Sequence, residues 1–199
     1  MDVEKIEEIR SKILTSFNNC LSELVDCEIL SSDCIPEGIK PHTRSIAWIA
    51  EQVIIQGIRK HIDQTSFEYL QNEESDTALN DCRAKIGNDE ILINIKVTTA
   101  TKRTKNDINK AYKLYKLFVD KPDTLLFYVI MKMKFTSNQV ELVNDPPTVF
   151  YIPYIKSIYV NPSNHHLQAD YYDTPVVRSV KEFTDEIIKQ IKEKNLPEK

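Results

Sequence analysis

Asp81, Asn94 and Lys96, spaced Asp-x12-Asn-x-Lys, are the side chains in this sequence best placed to do chemistry together. Residues 91–96, "ILINIK", read as a short apolar strand. Alternation puts Glu90, Leu92, Asn94 and Lys96 on one face and Ile91, Ile93, Ile95 and Val97 on the other. Asn94 and Lys96 then stand about 7 Å apart along the strand. The preceding stretch, "TALNDCRAKI", brings Asp81 antiparallel to the same end of a hairpin. Side-chain oxygens from Asp81 and Asn94, with the backbone carbonyl of Ile95, can hold one Mg²⁺, a hard cation that prefers oxygen. Glu90, on the face of Asn94, is a further candidate ligand. A lysine beside the metal can orient or deprotonate an attacking water and offset the charge on a phosphate. Such a set is suited to hydrolysis of a phosphodiester.

The elements around the hairpin must hold these groups in place. A helix is expected from about Thr43, its N-cap after Pro41, to Ile62. On it Glu51 shares a side with Ala47, Ile54, Ile55 and Ile58 at the 3.6 period. A carboxylate inside an apolar stripe is costly unless paired or metal-bound. At the stripe's edge it would instead reach solvent, and both readings stand. Upstream, Ile6, Ile9, Ile13, Phe17, Leu21 and Leu24 predict one amphipathic helix over 3–25, followed by a loop at 27–41. Strands are expected near 67–71, 77–86 and 90–99, with "GND" (87–89) turning the hairpin. A third helix should span 105–120, then a long strand 123–135, a turn at "TSN" and a short strand 139–143. Further strands lie in "TVFYIPYIKSIYV", and a last helix spans 178–195. The order α-α-β-β-β-α-β-β-β-α predicts one α/β domain, a mixed central β-sheet flanked by helices.

Composition narrows the field. The 199 residues suffice for one domain with a sizeable core, and 41% hydrophobic with 28% charged residues is ordinary for a globular protein. No apolar run reaches about 18 residues, so no membrane span is expected. The charged start "MDVEKIEEIRSK" is unlike a secretory signal. Cys20, Cys27, Cys34 and Cys82 lack metal-ligand spacing and read as reduced thiols of a cytoplasmic protein. A net charge of −4 argues against a generic nucleic-acid coat, though only the contact face of a DNA enzyme need be positive. With only three glycines, Gly-rich phosphate loops are absent.

Asp81-x12-Asn94-x-Lys96 resembles the signature of the PD-(D/E)xK nuclease superfamily, particularly type II restriction endonucleases of the blunt-cutting kind. The similarity runs through helix, hairpin and helix, over about residues 43–135, and includes the run "SDTALNDCRAKIGNDEILINIKVTT". It implies a restriction-endonuclease-like fold and a Mg²⁺-dependent endonuclease acting on specific sequences of double-stranded DNA. Asp81 and Asn94 would then be metal ligands, Lys96 would position the water, and Glu51 would be an accessory carboxylate. The products would carry 5′-phosphate and 3′-hydroxyl ends. By the same analogy the chain acts as a homodimer, with residues 1–27 as the dimerisation element, 43–135 as the catalytic core and 136–199 as a sheet extension.

The sequence departs from that signature at Asn94, where an acidic residue is usual. An amide oxygen can ligate Mg²⁺ but brings no charge. Three explanations stay open: an Asp→Asn substitution that disables cutting, an active variant in which Glu90 or Glu51 supplies the carboxylate, or a protein that binds DNA without cutting. A repair or junction-resolving nuclease of the same superfamily is a further alternative. For DNA contact, Lys102, Arg103 and Lys105 cluster after the strand, with Thr98, Thr99 and Thr101 able to donate to phosphates or bases. Lys110, Lys113 and Lys116 read as a solvated helix face. The polar stretch 161–173 reads first as plain surface, with Asn164, His165 and His166 as the candidates if it is a recognition loop. Trp48 falls on the non-apolar side of its helix, which hints at an interface.

Overall fold

A computed structural model describes residues 2–25, 29, 43–73, 75, 78–99, 105–135 and 140–197. The loop expected at 27–41 lies outside them apart from Ile29, as do the "TSN" turn, Cys27 and Cys34. Among the described residues no helix is long and apolar enough to cross a membrane.

The chain starts with α1 (Val3–Asn19), capped by Asp2, whose carboxylate accepts the Glu4 N–H at 3.0 Å. Its stripe of Ile6, Ile9, Ile13 and Phe17 is buried. The single helix expected over 3–25 is broken at Cys20. A second short helix, α2 (Leu21–Val25), follows and lays Leu21 and Leu24 against α3 (Thr43–Lys60). The hairpin follows as β1 (Tyr69–Asn72), β2 (Cys82–Ile86) and β3 (Asp89–Thr98). The tight turn at Gly87-Asn88 relies on Gly87 at φ 60°, a conformation glycine adopts without penalty.

Residues 105–120, expected as one helix, divide into β4 (Lys105–Lys110) and α4 (Ala111–Asp120). Asn106, Asp107 and Asn109 are poor helix formers, and a partner strand is at hand: β9 (His166–Asp170), in a stretch read above as loop. With β8 (Tyr159–Val160) these make a three-stranded antiparallel sheet, β4-β9-β8. The larger sheet is six-stranded and mixed, in the order β1-β2-β3-β5-β6, with β7 (Thr148–Tyr151) also on β5 (Leu126–Phe135) and β6 at Val140–Leu142. β3 and β5 run parallel across the β4-α4 connection, pairing Asn94 with Tyr128 and Lys96 with Ile130. The chain is thus a single α/β domain with a curled mixed sheet flanked by helices.

Paired residues share a face, so Ile93, Phe127 and Tyr151 line one side of the sheet. There Phe118 of α4 meets Tyr151 and Phe183 edge to face, Phe183 coming from the last helix, α5 (Val180–Glu193). A reciprocal capping box fixes the start of α5: Ser179 Oγ accepts the Glu182 N–H and Glu182 accepts the Ser179 N–H at 2.7 Å. The opposite face of the sheet carries Asn94, Lys96, Tyr128 and Phe150, and α3 crosses it.

Gly57 of α3 sits where a Cβ would fall on Leu24 Cδ2, in the fully buried contact between α2 and α3. Gly57→Ala removes a helix-propensity penalty of about 1 kcal/mol but overpacks that contact. It is expected to lower stability by a net of about 1–2 kcal/mol, read as a fall in the thermal midpoint.

Candidate active site

Strand β2 leaves β3 just where the polar residues begin. The last paired residues are Cys82 and Ile93, and the Asp81 N–H still donates to the Ile93 carbonyl at 2.9 Å. Beyond them the Asp81 carboxylate takes over, its Oδ2 accepting the Ile95 N–H at 2.6 Å. Ile95 thus touches Asp81 through its N–H. The Asn94 amide nitrogen donates to the Leu79 carbonyl at 3.0 Å, which fixes which way the amide points. Asn94 is only 3% exposed, and its buried Oδ1 has no hydrogen-bond partner among the described residues. An orphaned buried acceptor of this kind is costly and needs a donor or a cation.

Lys96 completes the cluster. Its Nζ lies 3.8 Å from Glu51 Oε1 and 4.0 Å from Asp81 Oδ2, so it stands between a carboxylate of α3 and one of the hairpin. These spans are too long for hydrogen bonds and hold the groups by charge alone. Glu51 is 8% exposed, with Ile54, Ile55 and Ile58 fully buried beside it. Burial pushes its pKa up to about 7, the Asp81 charge adds to the rise, and Lys96 opposes it. Asp81 is raised as well, by burial first, with Lys96 and the Ile95 N–H pulling the other way. Two carboxylates that ionise with difficulty thus flank one ammonium, and the amide oxygen two residues before that lysine on the same strand face is unsatisfied, so added positive charge is favourable here. A hard cation fits this donor set of Asp81, Asn94 and Glu51. Among the described residues no three His, Cys, Asp or Glu side chains gather as a metal group, since the third oxygen here is an amide.

The structure does not bring every expected residue here. Glu90 lies at the turn end of β3, four residues from Asn94, and accepts from the Tyr69 hydroxyl. Thr98 is buried at the end of β3 and Thr99 is exposed beyond it. Thr101, Lys102 and Arg103 lie outside the described residues, and Lys105 opens β4 opposite Asp170. Lys110, Lys113 and Lys116 are exposed, but only Lys113 and Lys116 are on α4, while Lys110 ends β4. Asn164, His165 and His166 form the turn into β9, with His165 at φ 62°. At the surface the amides of Asn164 and Gln168 each donate to Asp107 at 2.7 Å, and His166 Nδ1 lies 3.9 Å from the same carboxylate. Burial lowers the His166 pKa, and Asp107 works against that.

One neighbour of the cluster and one tie between the two sheet edges were missed in the sequence. Tyr128, fully buried, is paired with Asn94 and stacks on Phe150 at 5.7 Å. Asp107 ties the β8–β9 turn to β4. Neither follows from local pattern, because the register of parallel strands and the β4–β9 pairing are long-range. Beside Asp81 a cleft of about 380 Å³ opens between α3 and the chain before β2, lined by Trp48, Gln52, Glu73 and Asn80 among others. No protein-family model and no curated protein matches the chain.

A raised carboxylate pKa makes ionisation oppose folding. The folded protein keeps a proton on Glu51 that the unfolded chain has already lost, so this loss of stability grows between about pH 4.5 and 7 and is complete above. Glu51→Gln is therefore expected to match the wild type in stability below that window. Above it the variant should be more stable by up to about 3 kcal/mol. Urea denaturation on both sides of the window checks this.

Proposed function

We propose that this chain is a metal-dependent phosphodiesterase of the PD-(D/E)xK type whose substrate is DNA, with Mg²⁺ held by Asp81, Asn94 and Glu51. The observation that carries the reading is Lys96 Nζ standing between Glu51 and Asp81, 3.8 and 4.0 Å away, at the end of β3 where Asn94 Oδ1 lacks a partner. The element order also supports it, since the cluster falls on a hairpin between two helices, α3 and α4. Bound Mg²⁺ would supply charge to stabilise the developing negative charge on phosphate oxygens and would acidify a coordinated water.

The protein's own groups divide the remaining work. Asp81 is oriented by the Ile95 N–H, so the oxygen it offers is preset. Asn94 offers Oδ1 because its nitrogen is committed to the Leu79 carbonyl. Lys96, free of any short hydrogen bond to its two carboxylates, can turn its ammonium to an attacking water or a phosphate oxygen. Glu51, whose pKa burial lifts to about 7, must give up its proton before it can ligate the metal, so near neutral pH proton and metal compete for it. Tyr128 and the apolar stripe of α3 limit water at the back of the site.

The amide at position 94 favours one second reading, a DNA-binding protein on the same scaffold that does not cut. A homodimer would need a face other than the apolar side of α1, which is spent inside the chain.

The deciding experiment is plasmid cleavage in millimolar-scale Mg²⁺ by the protein and by Asn94→Asp. Cleavage by the Asp form, at a rate at least about 10-fold that of the Asn form, is expected, because the added charge strengthens a weak hard-cation site. Discrete fragments would mark sequence-specific cutting, and a ladder would mark cutting directed by DNA structure. No cleavage by either form, with DNA still bound, would move the reading to the non-cutting protein. Where cutting occurs, the Mg²⁺ concentration for half-maximal rate should fall as pH rises through about 7, as Glu51 loses the proton that competes with the metal.

A further inference from the structure

The chain has one tryptophan, and it is 68% exposed. Trp48 lies three residues before Glu51 and four before Gln52 on α3, so all three project from one side of the helix over successive turns. It forms one wall of the 380 Å³ cleft whose other walls include Asn80 and Asp81. Among the described residues, no lysine or arginine lines that cleft, so a phosphate finds no cation in it. Its two carboxylates are already engaged and leave a cationic organic ligand no free partner. Glu73 is committed to Arg83 at 2.8 Å and to Asn80 at 3.1 Å. Asp81 is committed to the Ile95 N–H and faces Lys96. What remains is a flat indole, a cleft at the small end of the range for organic ligands, and amide groups along its side. Gln52 Oε1 accepts from Asn72 at 2.7 Å, while its nitrogen makes no hydrogen bond among the described residues. A planar, uncharged, hydrogen-bonding ring matches each of these features.

We infer that this cleft is a base subsite: the nucleobase next to the phosphodiester held at Asp81 stacks on Trp48, with its edge toward Gln52. The inference rests on the reading of the Asp81 cluster as a phosphodiesterase site, and it refines the substrate. In an intact duplex both faces of a base are covered by its neighbours. A base that enters the cleft is therefore one already unpaired, in a single strand, a gap or a bulge.

Because Trp48 is the sole tryptophan, its own fluorescence reports contact. The full chain would be titrated, in Ca²⁺ to restrain cutting, with a fluorescein-labelled 20-mer single strand, the same sequence as an intact duplex, and the duplex with a one-nucleotide gap. Anisotropy of the label reads binding, and Trp48 emission is followed in parallel with unlabelled DNA. Quenching of Trp48 by the single strand and the gapped duplex beyond that by the intact duplex is expected. Trp48→Ala should weaken binding of those two DNAs by about 5- to 150-fold, the range for losing one base–aromatic stack. Trp48→Phe should retain most of the affinity. The thermal midpoint of Trp48→Ala should be unchanged, since the ring packs against little. Binding by anisotropy with unaltered Trp48 emission, and with Trp48→Ala binding like the wild type, would overturn the base subsite and leave the phosphodiesterase reading standing. Equal quenching by all three DNAs would overturn the claim that the base is unpaired. Failure of the wild type to bind any of the three would remove both the subsite and the reading beneath it.

Discussion

One carboxylate–amide contact governs the polar end of the sheet. Where β2 departs from β3, the backbone N–H of Ile95 would lose its partner on that edge, and a buried unpaired amide is expensive. Asp81 fills the gap with its side chain. The same bend carries Leu79 to where its carbonyl accepts from Asn94, and it leaves the last residues of β3 paired on one side only, with β5. The opening into which Lys96 and Glu51 project exists because the ladder stops there. A side chain that serves the backbone is also rigid, so the proposed metal ligand inherits its placement from the sheet.

The cluster works against the fold that holds it. Glu51 and Asp81 are carried into low-dielectric surroundings by the isoleucines of α3 and the central strands, and both resist ionisation. Lys96 relieves part of this without closing into a tight salt bridge, which would satisfy the charges and remove their chemical use. On the far face of the sheet, Phe118, Phe127, Tyr151 and Phe183 interlock as an ordinary aromatic core. The division is physical: one face of the sheet supplies stability, and the other tolerates the strain of buried polar groups.

Much of this arrangement was legible in the sequence because it is local. A two-residue turn fixes which residues of β2 and β3 face each other, and alternation then puts Asp81 beside Asn94 and Lys96 on one side. The periodicity of α3 marked Glu51 as a carboxylate among isoleucines, and its burial decides between the two readings left open. What was illegible is long-range. Residues 105–110 became a strand because β9 was there to receive them, and Asn164 and His166 meet Asp107 across that pairing. Tyr128 joins the site only through the β3–β5 register, which depends on how α4 crosses over. The break at Cys20 arises because Leu21 and Leu24 must face α3, a direction that a straight continuation of α1 would not give. Glu90 shares a face with Asn94 yet stands too far along the strand to share its site, a reminder that alternation assigns sides and not distances.

The position of α1 has a consequence for how the molecule is made. Its apolar stripe finds cover partly against β7, a strand formed by Thr148–Tyr151, and its Lys5 pairs with Asp89 at the hairpin turn. α1 therefore cannot complete its contacts until residues 148–151 have been made. For that interval Ile6, Ile9, Ile13 and Phe17 form an exposed amphipathic ridge, the kind of surface that holding chaperones and other nascent chains engage. Closure of the domain joins residues far apart in sequence, so part of the cover of α1 comes late.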